Sequence, residues 1–528
     1  MSWSEHLLLA PILLPLLCGA LLVPLTQGWH RLKFALGYAS VLAQLACALV
    51  LARLTDNGHW PEGMGVYLAA NWAAPFGIAL LADRLAAAML VLTALLGWAS
   101  LHFAMLRWGR IGVHFHPLFQ FLLMGLNGAF LTHDLFNLFV FFEVMLAASY
   151  GLLLHGYNAE RLRAGMQYIA VNLAASLLFL LGTALIYAVA GTLNMADLGA
   201  RAARLAGQDA ALLQAGAAVL GLAFLIKAAA WPLGFWLPTT YAAASPPVAA
   251  MLVLMTKVGA YAILRLSLLL FPGGELGTAL LWGGMATIAF GAAGMLSTES
   301  AGRMAGYAAV ISSGTLLAAT GYGQPALVGA ALYYLPGSTL AVAAFLLLIE
   351  LIDRIRTPRN ALLAVSMEAF AVEDVPREPV GRPVPAALAF LSLAFAACAL
   401  LIAGLPPLSG FIAKFAMFHA LLDAPDGEVP GAGWALMALV LVSSLVAVIA
   451  LMRFGVRTFW AGSALPPALH RSEVAPVLLL LGLSALMTVQ AGPLVGYLGR
   501  AGDALHRPAD YAARVLGQPP VPAPREDP

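Results

Sequence analysis

Apolar residues run along this chain in blocks of about twenty, separated by short charged or Gly/Pro-rich breaks, a rhythm that predicts membrane-spanning helices. Cutting at those breaks gives spans near 7–24, 34–54, 75–98, 116–133, 135–155, 166–190, 213–236, 246–270, 276–297, 303–320, 327–352, 384–421, 435–454 and 475–497. The twelfth of these fourteen is interrupted by Pro406 and Pro407, and the seventh carries Pro232 near its end. The expected fold class is an all-α polytopic membrane protein. Residues 7–24 read as a retained first span, because Glu5 stands where a signal peptide would carry positive charge.

Charge placement adds an orientation. With the N-terminus outside, the inside loops and their margins hold 15 Arg and Lys residues, among them Arg31, Lys33, Arg107, Arg110, Arg161, Arg354 and Arg471. The outside loops between helices hold only Arg53, Arg201 and Arg204. The positive-inside rule then puts both termini on the outer side of the membrane. The loop at roughly 353–383 is too short for a soluble domain and has room for one amphipathic piece. The segment 501–528 reads as a disordered tail, Pro-rich beyond about residue 515.

Composition agrees: 62% of residues are hydrophobic, 10% are charged, and the formal net charge is +2. No basic, aromatic-interleaved surface suits nucleic acid. Cys18, Cys47 and Cys398 lie in apolar runs without metal-ligand spacing. Dinucleotide turns, phosphate loops, zinc helices and nucleophile elbows are lacking, so no cofactor is expected, no metal site is legible, and nucleotide-driven transport would need a partner chain.

The chain has four lysines, and Lys227, Lys257 and Lys414 fall inside apolar spans. A charge at mid-bilayer costs at least about 2.5 kcal/mol, which makes such residues functional candidates. Lysine suits proton relay because desolvation lowers its affinity for a proton and a nearby carboxylate restores it, whereas arginine stays charged. Two of the three accompany helix-breaking prolines, in Phe224-Leu-Ile-Lys227-Ala-Ala-Ala-Trp-Pro232 and Leu405-Pro-Pro-Leu-Ser-Gly-Phe-Ile-Ala-Lys414. Broken spans in corresponding halves point to an inverted-repeat transporter with an ion path near mid-membrane; ordinary proline kinks are the bland reading.

Glu143 lies nine residues beyond Asp134, or about 13 Å into the fifth span. Pairing with an interior lysine is expected for it, with a fixed salt bridge as the bland alternative. Asp134 is either part of the path or a cap for the helix that starts at Leu135. Arg265 is close enough to the far boundary to snorkel. Asp83 and Arg84 interrupt the third span. His419, five residues past Lys414, is placed to extend that lysine's route. Ser176, Ser312, Ser313, Tyr333, Tyr334, Ser338 and Thr339 would either hold water in the interior or glue helices together.

Several strings carry a resemblance: Asp134-Leu-Phe-Asn-Leu-Phe-Val-Phe-Phe-Glu143, Phe224-Leu-Ile-Lys227, Trp236-Leu-Pro, Leu254-Met-Thr-Lys257-Val-Gly-Ala-Tyr, Tyr307-Ala-Ala-Val-Ile-Ser-Ser and Gly404-Leu-Pro-Pro-Leu-Ser-Gly-Phe-Ile-Ala-Lys414-Phe. The chain resembles the D-type membrane component of multisubunit monovalent cation/proton antiporters of the Mrp or Pha type, related to the antiporter-like membrane subunits of respiratory complex I. The resemblance implies two inverted five-helix repeats with interrupted helices 7 and 12. It divides the chain into an N-terminal three-helix segment (1–110), the two repeats (111–270 and 271–460), a final helix (461–500) and the tail (501–528). It also implies that Glu143 pairs with Lys227, that Lys257 is the central relay and Lys414 the lysine of the second half-channel. The function implied is exchange of sodium or potassium for protons, by a non-enzymatic subunit working within a complex.

Two departures matter. Where similar subunits carry a basic residue in the eleventh span, this chain reads Leu332-Tyr-Tyr-Leu-Pro-Gly-Ser-Thr-Leu340, so tyrosine, serine, threonine and water would have to relay the proton. Pro232-Leu-Gly-Phe-Trp236 lacks the histidine of respiratory relatives, which favours the antiporter branch. The alternatives are a proton-pumping subunit of a quinone- or hydrogenase-linked respiratory complex, and a non-catalytic membrane scaffold. No oxygen cage legible in the sequence selects sodium over potassium.

Overall fold

The computed structural model describes residues 3–156, 158–271, 274, 276–356, 386–423, 428–459 and 469–520. Among them, thirteen helices are long and apolar enough to cross a membrane. They include α1 (Trp3–Leu22), α2 (His30–Leu54), α3 (Arg84–Ala104), α5 (Leu135–Leu153), α6 (Ala159–Ala190), α8 (Gly207–Lys227) and α10 (Pro246–Leu270). The rest are α11 (Gly277–Ser297), α12 (Ala301–Tyr322), α13 (Pro325–Asp353), α14 (Ala386–Ala403), α16 (Gly431–Phe459) and α17 (Arg471–Val489). The shorter α4 (Phe115–Leu131) adds a fourteenth span, α15 (Ser409–Leu422) completes the one begun by α14, and the short α7 (Met195–Ala202) lies between α6 and α8. The expected all-α fold with two interrupted spans is therefore present. Helices α10, α12 and α13 form its buried centre.

The third span starts later than the sequence pattern suggests. Residues ahead of it pair as an antiparallel hairpin, β1 (Gly65–Leu68) with β2 (Ala79–Ala82), Gly65 opposite Ala82. Asp83 then caps α3 by accepting a 2.8 Å bond from the Ala86 amide, so the acid begins the span and does not interrupt it. Nor does Arg265 snorkel: it donates to Asp83 at 2.7 Å and packs over the Tyr261 ring at 4.7 Å. Arg84 turns to Asp56, which Arg500 also grips, at 2.7 and 2.9 Å.

The C-terminal segment is also more structured than its composition suggests. The last span stops at Val489, and α18 (Ala491–Leu505) and α19 (Pro508–Leu516) follow it. Tyr511 and Val515 are buried, and the Tyr511 hydroxyl meets His133 Nδ1 at 2.8 Å. The prolines around α19 mask its amphipathic face in the composition. The loop piece anticipated within 353–383 lies, beyond Arg356, outside the described residues, as do residues 521–528.

Hydrogen bonds hold the N-terminal helices to α4. Ser40 donates to Gln120 Oε1 at 3.0 Å, Gln44 to Ser40 at 3.1 Å, and Asn127 Nδ2 to both Gln44 Oε1 (2.9 Å) and the Pro11 carbonyl (2.7 Å). All four side chains are buried, and in lipid-like surroundings such bonds replace the hydrophobic effect as glue.

Candidate functional site

The three interior lysines are all buried, Lys257 completely. Lys227 is the last residue of α8; the chain then breaks through Trp231 and Pro232 before α9 (Trp236–Ala243). The first helical piece of the seventh span therefore stops about nine residues before its apolar run does, and α9 follows the break. Lys227 Nζ donates to Ser176 Oγ at 3.3 Å and to the Asn172 carbonyl at 3.4 Å, both on α6, and stands 5.7 Å from the centre of the Phe142 ring.

The expected ion pair with Glu143 is not formed. Glu143 lies within Coulombic reach of Lys227, but its Oε1 is buried with no hydrogen-bond partner. The reason is helical geometry: α5 presents Phe142 to the lysine, and the next residue points about 100° away. Asp134 caps α5, accepting from the Asn137 amide at 2.8 Å. Burial raises its carboxyl above the usual carboxylate range.

Lys257, in the middle of α10, donates to Ser312 Oγ at 2.8 Å and reaches Ser313 at 3.5 Å. Ser312 is bonded in turn to Ser338 on α13 at 2.8 Å. The other polar residues nearby divide. Tyr334 packs against Ser312 and Thr315, whereas Tyr333 donates to the Met487 carbonyl and Thr339 to that of Leu335. Tyr333 and Thr339 are thereby committed to helix contacts.

Lys414 sits just past the second break. Its Nζ donates at 2.9 Å to the Ala403 carbonyl, which the end of α14 leaves without a helical partner, and at 2.6 Å to Ser444 on α16. Gly404 makes this possible: its φ is +73°, and a Cβ there would fall 2.9 Å from Lys414 Cε. His419 is exposed on α15 and is not brought to Lys414. Ser409 is a residue that sequence reasoning misses. Its hydroxyl is buried without a partner, 3.6 Å from where a Cβ on Gly337 would stand and thus one residue from Ser338. The only signal in the sequence is its place beside the proline break.

A polar cavity of about 310 Å³ opens at the end of the bundle that carries Arg107, Arg161 and Arg354. Its wall is set by Glu350, which accepts from Trp108 Nε1 at 2.9 Å and from Arg107 at 3.2 Å, while Arg354 bridges to Glu473 at 2.6 Å. A second cavity, about 10 Å³, touches Lys227, Asn172 and Tyr168. Among the described residues no cluster of His, Cys, Asp and Glu has metal-site geometry.

Among the described residues, fourteen spans, two broken helices and buried lysines beside both breaks define an antiporter-like membrane subunit. The family model described as "NADH:quinone oxidoreductase/Mrp antiporter, TM" matches residues 132–446, and the chain belongs to this family, in the branch of the D-type antiporter components. It is 51% identical to a Rhizobium meliloti chain described as the D component of a probable K(+)/H(+) antiporter, over 98% of this chain and 99% of that one. It is 32% identical to the corresponding D component of the Na(+)/H(+) antiporter of Alkalihalophilus pseudofirmus, over 97% and 99% of the two chains. A chain in the solved Mrp complex from Dietzia superposes with TM-score 0.83 at 27% identity, covering 98% of this chain and 100% of its own length.

Proposed function

We propose that this chain carries protons through the membrane in a multisubunit antiporter that exchanges sodium or potassium for them, with Lys227, Lys257 and Lys414 as the carrying groups. The observation behind this reading is the partners of the lysines: hydroxyls and backbone carbonyls, with no carboxylate among the described residues in ion-pair contact. A permanent charge held that way in a dry interior is costly, whereas an amine that gains and loses a proton is neutral for part of its cycle. Glu143, near Lys227 but unbonded to it, biases that exchange through its field: a charged carboxylate favours the protonated lysine and a protonated one releases it.

The path continues from Lys257 through Ser312 and Ser338, and Ser409 takes the place of the missing basic residue before Lys414. Hydroxyls donate and accept at once, so with intervening water they pass a proton without holding a charge. Asp134 and His419 have no role in this scheme. The arginine-rich end of the bundle faces the cytoplasm by the positive-inside rule, with both termini outside.

The test is cation-driven proton exchange in everted vesicles carrying the complete complex. Lys227→Ala is expected to abolish exchange, and Glu143→Gln to slow it with assembly intact. Near-normal exchange by Lys227→Ala at matched assembly would reject the route.

A further inference from the structure

One residue lines both the large polar cavity and the small cavity at Lys227: Tyr241, on the short helix α9 that follows the first break. The large cavity is reached from solvent past the exposed side chains of Arg107, Asn158 and Glu160. Its polar wall and its volume, well above that of a single water, suit an aqueous vestibule. The small cavity has room for about one water, and its wall includes Phe142, Tyr168, Trp236, Met255 and Thr256. Tyr241 is itself buried, and its hydroxyl donates to the Leu252 carbonyl at 2.6 Å.

We propose that Tyr241 is the gate between this vestibule and Lys227. The Leu252 bond holds the ring across the passage; when the bond breaks and the ring swings aside, water from the vestibule reaches the lysine and a proton can pass along it. The carbonyl that latches the ring belongs to α10, five residues before Lys257, so a small shift of the central helix would move the latch and the relay lysine together. The short α9 is tied to α8 by Trp236 Nε1, which donates to the Ile226 carbonyl next to Lys227 at 3.2 Å. The gate and the lysine are thus held by the same turn of chain. Tyr241 touches no transported ion in this scheme; it is a positioning residue that controls water access.

The purpose of the gate rests on the proton route proposed above, but its existence is measurable apart from that route. In the complete complex in everted vesicles, Asn172→Cys places a thiol in the wall of the small cavity, and its modification by 2-aminoethyl methanethiosulfonate is followed by mass spectrometry of this chain. Tyr241→Ala is expected to speed labelling about ten-fold or more, and Tyr241→Phe, which keeps the ring and loses the latch, about three- to ten-fold. Tyr241→Ala should also let an imposed pH gradient decay faster when no exchangeable cation is present, which a purely structural role would not produce. Equal labelling rates in Tyr241→Ala and the parent would overturn the gate. If the alanine variant does not assemble, an unchanged rate in Tyr241→Phe overturns it. Faster labelling alongside normal exchange by Lys227→Ala would keep the gate and remove the lysine route.

Discussion

Lys414 lies across Gly404, the residue whose left-handed backbone turns the chain out of α14. The same glycine therefore ends one half of the broken helix and leaves room for the lysine of the other half. Gly404→Ala is expected to strain the turn by about 1 kcal/mol and to push the ammonium off the Ala403 carbonyl. Exchange should fall by more than the loss of assembled complex explains, as measured by transport normalised to complex on native gels.

In the proposed route, Ser409 and Ser338 bridge the stretch in which no basic residue stands. Ser409→Ala removes a hydroxyl that has no hydrogen-bond partner and so costs the fold little. It should nevertheless slow exchange several-fold, while Ser409→Thr, which keeps the hydroxyl, should retain most of it. Equal rates for Ala and Thr would take Ser409 out of the path.

The Asp83–Arg265 pair tests what holds the end of the bundle. Both side chains are about nine-tenths buried, so Asp83→Asn leaves a guanidinium without its counter-charge, at a cost of about 3 to 5 kcal/mol. Tyr511→Phe removes a single bond to His133 and should cost about 1 kcal/mol. Thermal stability of the detergent-solubilised complex should fall in that order.

Acid should loosen the contact between Asp56 and α18. Burial alone would raise the Asp56 carboxyl, but Arg500 and Arg84 outweigh it and hold it below the usual carboxylate range. A depressed value means the contribution is complete above the unfolded value of about 4 and is lost as pH falls through the folded one. Proteolysis of the C-terminal segment should therefore be insensitive to pH between neutrality and about pH 5 and should quicken only under stronger acid. Asp56→Asn should be readily cleaved at neutral pH.

Much of this architecture is legible in the apolar runs, because a bilayer admits few solutions for a backbone that must satisfy itself. The lysines and the prolines beside them mark both breaks for the same reason. Where sequence and structure part, the governing quantity is direction along or around a helix. Glu143 is on the wrong bearing to bond Lys227, and the third span begins late because Asp83 reads as an interruption until its capping bond is seen; for Tyr333 and Thr339, the bonds to carbonyls select helix packing from the two readings the sequence leaves open. The sequence marks Ser409 only by its place beside a proline break and does not mark Tyr241, because an orphan hydroxyl and a shared cavity wall are properties of packing.

The ladder from Ser40 through Gln44 and Gln120 to Asn127 bears on where this molecule can move. Sliding α2 by one turn against α4 would leave several amide groups unsatisfied in an apolar setting, each at a cost of several kcal/mol. The first helices thus stand as a fixed abutment, and any working stroke must be taken up by the parts of the chain that proline has already freed, the two breaks on either side of the central helix.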